Sequence, residues 1–102
     1  MELVTYVPED YLESVKEALF AAGGGFYGNY DKCCWCTLGT GQFRALEGSS
    51  PFIGKENEVE YVKEYRLEMI VPEDKVKAVV AALRVAHPYE VPAYHIFPIL
   101  AE

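Results

Sequence analysis

The sequence predicts an α+β domain of the ferredoxin-like type, a β-α-β-β-α-β chain forming a four-stranded antiparallel sheet with two helices on one face. Three observations predict it: two amphipathic helical stretches, four strand-like runs around them, and an internal repeat that splits the chain into similar halves. A chain of 102 residues reads as one domain, 1–102, large enough to bury a core without metal or disulfide staples.

The elements follow in order. A short strand over 3–7 meets Pro8, after which Glu9 and Asp10 sit where carboxylates favour the positive end of a helix dipole. The spacing of Leu12, Val15, Leu19 and Ala22 predicts a helix over 10–22, stopped by Gly23-Gly24-Gly25. Alternation and β-branched content predict a longer central strand pair over 33–46 and 59–71. In the second of these, Val59, Tyr61, Tyr65, Leu67, Met69 and Val71 share a core face, while Glu60, Glu64, Arg66 and Glu68 share a polar one. Val76, Val79, Val80, Leu83 and Ala86 predict a second helix over 73–86, closed by His87-Pro88. The last strand, 93–99, carries Pro98, which suits a sheet edge where a missing amide donor is tolerated.

The repeat supports this order. Val7-Pro8-Glu9-Asp10 recurs as Val71-Pro72-Glu73-Asp74, and at the same offset Leu12, Val15, Ala18, Leu19 and Ala22 meet Val76, Val79, Ala82, Leu83 and Ala86. Right-handed crossovers then put the first and third strands together at the centre of the sheet.

Composition narrows the function. Sixteen acidic against nine basic side chains give a net charge of -7, which disfavours nucleic acid as a partner. No apolar run approaches the ~20 residues that span a bilayer, and the start lacks a signal-peptide pattern, so no membrane partner and a cytoplasmic location are expected. Three cysteines packed into Cys33-Cys34-Trp35-Cys36 read as reduced thiols rather than a secreted disulfide framework.

Several runs resemble a known family: Gly28-Asn29-Tyr30, Gly39-Thr40-Gly41-Gln42-Phe43-Arg44, Glu47-Gly48-Ser49-Ser50-Pro51-Phe52-Ile53-Gly54, and Ala86-His87-Pro88-Tyr89-Glu90-Val91-Pro92-Ala93-Tyr94. They are similar to the PII/CutA-like inserted domain of the YqfO or Nif-three family, and the resemblance covers nearly the whole chain. It implies the PII/CutA-like version of the fold, assembly as a homo-oligomer with a trimer favoured, and small-ligand or regulatory binding. The family's dimetal-binding body has no counterpart here, so its hydrolase activity transfers to no residue of this chain. Cys34 and Cys36 replace small hydroxyl residues of the family pattern, and His95 replaces an acidic one.

Candidate sites follow from these runs. His87, Tyr89, Glu90 and Tyr94 put an imidazole, a carboxylate and two phenols in a proline-bracketed turn that suits a ligand pocket; alternatively His87 caps its helix, partly charged and favoured by the dipole. Thr40 and Arg44 are further ligand-binding candidates, although Gly39-Thr40-Gly41 lacks the Lys-Ser or Lys-Thr of a phosphate loop and reads as a strand bulge. Cys34, Cys36, His87 and His95 are candidate ligands for a divalent or copper-type metal ion, against a reading of the cysteines as small apolar fillers. The 47–58 loop, tipped by Pro51, Phe52 and Ile53, is long enough to reach another subunit or a protein partner, or to fold back on its own domain.

Three function classes result: an oligomeric sensing or regulatory module, which leads; a metal-binding or metal-handling protein; and a hydrolase. No Ser-His-Asp set or nucleotide loop can be assembled for the third, and no catalytic residue is assigned.

Overall fold

In the computed structural model, residues 1–100 are described. The chain runs β1 (Glu2–Pro8), a 3-10 turn (Glu9–Tyr11), α1 (Leu12–Ala21), β2 (Trp35–Arg44), β3 (Val59–Ile70), a second 3-10 turn (Glu73–Lys75), α2 (Val76–Ala86) and β4 (Tyr94–Phe97). All pairings are antiparallel and the strand order is β2-β3-β1-β4, with β1 and β3 central as the crossovers require.

The repeat is carried into backbone geometry. Pro8 (φ -57°, ψ 146°) and Pro72 (φ -57°, ψ 143°) leave their strands identically, and each is followed by a 3-10 turn before its α-helix. Proline sets this entry because its ring holds φ near the value the first turn needs. The first helix ends where Gly23, at φ 117°, takes a conformation that costs a side chain dearly. Gly25, at φ 83°, then donates its N–H to the Ile70 carbonyl at 2.8 Å, and a Cβ there would strike the Phe20 ring.

The core lies between the sheet and the paired helices. Leu3 and Val7 from β1, Leu67 and Met69 from β3 and Val71 just beyond it pack against Val15 and Leu19 of α1 and Val79 and Leu83 of α2. Thr5, also buried on that face, donates its hydroxyl to the Ala93 carbonyl at 2.8 Å, so its burial leaves no unmet donor.

Three expectations change. The core face of β3 is real only over its C-terminal half: Val59 and Tyr61 are 47% and 68% exposed. The β2–β3 ribbon outruns the helices above it, giving the molecule a long axis of 46 Å against 24 Å across. No bulge forms at Gly39-Thr40-Gly41, since they pair one for one with Glu64, Lys63 and Val62. Glycine at 41 instead makes room for the Glu64 side chain, which a Cβ there would overlap. Finally, β4 stops at Phe97, before Pro98, and Cys33 and Cys34 precede β2 rather than belong to it.

Replacing the fully buried Leu67 with Ala is expected to cost about 2–5 kcal/mol through lost burial and the cavity left behind. Val85→Ala on the exposed side of α2 is expected to change stability by no more than about 0.5 kcal/mol. Urea unfolding of both variants measures the contrast.

Candidate functional site

The candidate site forms where β1 outruns its edge partner. β4 pairs only with Glu2 through Thr5, so the end of β1 needs other cover. α2 supplies it. His87 leaves the helix with an extended backbone (ψ 135°), and Pro88 prevents the helix from resuming. The turn drops the imidazole onto β1, where Nε2–H donates to the Tyr6 carbonyl at 2.6 Å and Nδ1 accepts the Tyr89 N–H at 3.2 Å. Those two bonds define a neutral tautomer.

His87 is only 4% exposed. Burial holds its pKa below the ordinary 6.5, although the Tyr6 carbonyl and the Glu64 carboxylate pull the other way. The cap is therefore a neutral, buried strut rather than a partly charged group at a helix dipole. It fixes the backbone of Tyr89, whose ring centroid lies 4.8 Å from the imidazole.

Tyr89 reaches across to β3, donating its hydroxyl to Glu64 Oε2 at 2.7 Å. Burial and that carboxylate push the phenol well above its usual range, so it stays a donor at any physiological pH. The 47–58 loop folds back to close the site. The Ser50 N–H donates to Glu90 Oε1 at 3.1 Å, and Phe52 meets Tyr11 edge-on at 5.6 Å and Tyr89 at 6.3 Å between ring centroids. Phe43 of β2 lies 6.4 Å from Tyr89 on another side. These groups enclose an open cavity of about 300 Å3.

The cavity gathers Tyr89, Glu90 and the loop residues Pro51, Phe52 and Ile53 from the expected set. It leaves out Tyr94, whose hydroxyl accepts from Arg84 at 2.8 Å on the helix side of β4. Thr40 borders an adjoining groove with Gly39 and Arg66, and Arg44 stands exposed opposite Val59. Of the two readings of the loop, the chain shows its apolar tip packed on its own domain, and half of Phe52 is still exposed.

Of the four expected metal ligands, only Cys34 and Cys36 are brought together. Cys36 lies opposite Leu67, on the core face, while His95 lies opposite Val4, on the other, stacked 6.2 Å from Phe97. Cys34 and Cys36 lie half-buried against the core, and burial, then the neighbouring Cys34, raises the Cys36 thiol pKa and keeps it protonated. Both His87 nitrogens are engaged, and no group of three or more His, Cys, Asp or Glu side chains is placed to hold a metal among the described residues.

The sequence reading missed Glu64, Gln42, Phe43 and Tyr6 as cavity residues. Glu64 looked like one more carboxylate on a solvated strand face. The usable signal was glycine at 41 inside a strand, which marks a close approach by a neighbour.

The pH dependence of folding tests the strut. The unfolded chain binds a proton at His87 over a range where the folded chain does not, so stability rises with pH there. The contribution is full above the ordinary 6.5 and is lost as pH falls from that value through the depressed folded one. Urea midpoints are expected to drop between pH 7.5 and 5.5, and His87→Gln is expected to flatten that slope while lowering stability at both pH values.

No helix of the described residues is long and apolar enough to cross a membrane. No family model matches the chain. Proteins named GTP cyclohydrolase 1 type 2 homolog do match: the one from Halalkalibacterium halodurans is 46% identical over 101 residues, covering 99% of this chain and 27% of its own length. That from Bacillus subtilis is 45% identical over 98 residues, 96% of this chain and 26% of its own. The chain thus spans about a quarter of the length of these curated relatives. Among solved structures, a Bacillus cereus protein related to NIF3 superposes with TM-score 0.83 at 38% identity, over 96% of this chain and 25% of that one. The divalent cation tolerance protein CutA of Archaeoglobus fulgidus superposes with TM-score 0.70 at 14% identity, over 99% of this chain and 84% of that one, a likeness of fold alone. The chain is a homologue of the CutA-like portion of the Nif-three (YqfO) family.

Proposed function

We propose that this domain is an oligomeric small-ligand-sensing or regulatory module of the cytoplasm whose ligand occupies the cavity between the 47–58 loop and the 87–93 segment. The observation that carries this reading is the way that cavity is closed. One wall is a rigid turn strutted by His87, and the other is a loop held by the Ser50–Glu90 hydrogen bond and the ring contacts of Phe52. A ligand between them contacts both walls, so its arrival changes how firmly the loop is held. In the larger relatives named GTP cyclohydrolase 1 type 2 homolog, the corresponding quarter would then sense or regulate rather than carry the chemistry.

The oligomer in this reading is favoured by the protruding ribbon. Leu38, Val59 and Tyr61 are exposed along it, and β2 and β4 lie at the two edges of the sheet. Self-association covers both, and the family resemblance favours a trimer. The metal-handling alternative lacks comparable support, because Cys34 and Cys36 neighbour each other but neither His87 nor His95 joins them in a group of three among the described residues.

A native mass spectrum of untagged protein tests both parts, with a trimer and a retained small molecule expected. Leu38→Glu, which places a charge on the ribbon, is expected to shift the complex to monomers without unfolding it. A wild-type monomer at micromolar concentration would sink the oligomeric reading.

A further inference from the structure

The cavity walls and the cavity charges point to one ligand chemistry. Phe43, Phe52 and Tyr89 surround the space with aromatic rings, centroids 6.3 and 6.4 Å from Tyr89 to its two neighbours. The charged groups lining it are Glu64 and Glu90, and no Lys, Arg or His joins them among the described residues. Arg66, two residues along β3 from Glu64, lines the adjoining groove, which shares Tyr6, Gln42 and Glu64 with this cavity, and it is paired with Glu68 at 3.6 Å. Glu64 spends Oε2 on the Tyr89 hydroxyl and Glu90 spends Oε1 on the Ser50 N–H. The second oxygen of each carboxylate has no hydrogen bond from the described residues: Glu64 Oε1 lies over Gly41, and Glu90 is exposed.

We propose that this cavity takes a small organic cation with a flat apolar body, such as an arylalkyl ammonium, an aryl amidinium or an aryl guanidinium, whose charged group meets Glu64 or Glu90 while its ring lies among Phe43, Phe52 and Tyr89. This rests on the ligand-sensing reading of the same cavity and names the ligand class. The half-buried Glu64 has no counter-charge in the cavity lining and is costly to close over, and a cation that also meets the exposed Glu90 offsets that cost. N–H donors of an amidinium or guanidinium fit a carboxylate's free oxygen with charge-assisted hydrogen bonds. Aromatic faces attract the same charge through their quadrupoles. The net charge of -7 raises the local concentration of cations and repels anions. An anionic ligand, a nucleotide phosphate included, would face two carboxylates with no cation in the cavity lining to receive it.

Three probes of one shape and different charge separate the outcomes: benzamidinium, neutral benzamide and anionic benzoate. Titration of each into the whole labelled chain, followed by amide NMR shifts at Phe43, Tyr89 and Glu90, reports binding in the cavity. Benzamidinium is expected to bind about tenfold or more tightly than benzoate, with benzamide between them. Glu64→Gln and Glu90→Gln keep an acceptor for Tyr89 and Ser50, so each is expected to fold, to weaken benzamidinium by about fivefold to tenfold and to leave benzamide unchanged. Benzoate binding as tightly as benzamidinium, or benzamidinium indifferent to both variants, overturns the cation assignment while leaving a ligand cavity in place. Silence of those amides toward all three probes overturns both the cation assignment and the sensing function of this cavity.

Discussion

A strand rises about 3.3 Å per residue and a helix about 1.5 Å, so elements of similar residue count cannot cover one another end to end. Here β3 has 12 residues and α1 and α2 have 10 and 11, and the helices can shield only part of the strand. They shield the half bearing Leu67 and Met69, which becomes core. The other half, with β2, emerges as a ribbon on which Leu38, Val59 and Tyr61 are exposed. The elongated shape, the cavity at the ribbon's base and the exposed apolar side chains along the ribbon all follow from that mismatch.

The base of the ribbon needs a structural solution because β4 pairs with only four residues of β1. Exit from α2 provides it. A charged imidazole would be a poor strut there, since burial opposes its charge and protonation of Nδ1 removes the acceptor for Tyr89. Neutral His87 satisfies the Tyr6 carbonyl and the Tyr89 amide together, and its immobility is what makes the Tyr89 hydroxyl a fixed donor to Glu64. A link runs from helix termination through side-chain tautomer to the geometry of the cavity wall.

Much of the fold was legible in the sequence because its determinants are local. Leu12, Val15 and Leu19 show helical spacing, the Val-Pro-Glu-Asp repeat marks both strand-to-helix junctions, and Gly23 to Gly25 mark a stop. The extent of the core along β3 was not legible, since alternation reports which face a residue occupies and says nothing of what lies above it: Tyr61 alternates as well as Leu67 does. In the site, the stretch from His87 to Glu90 was found from its prolines and its chemistry, whereas Glu64 and Phe43 come from strands whose register places them there. Cys34, Cys36 and His95 were grouped by residue type, and the sheet itself separates the cysteines from the histidine.

The two halves repeat one scaffold and differ in how they leave it, and that difference assigns stiffness and give. The first helix exits through glycines tied back by backbone bonds, with Gly25 held to Ile70. The second exits through a buried imidazole bonded on both sides. Opposite this second, rigid exit lies the 47–58 loop, which meets it through one hydrogen bond from Ser50 and the ring contacts of Phe52, interactions worth about 0.5–1.5 kcal/mol each. Such a closure is comparable with the binding energy of a small ligand, so occupancy can shift the loop population substantially. A wall held by His87 and a wall held so lightly give a ligand something to push against and something to move.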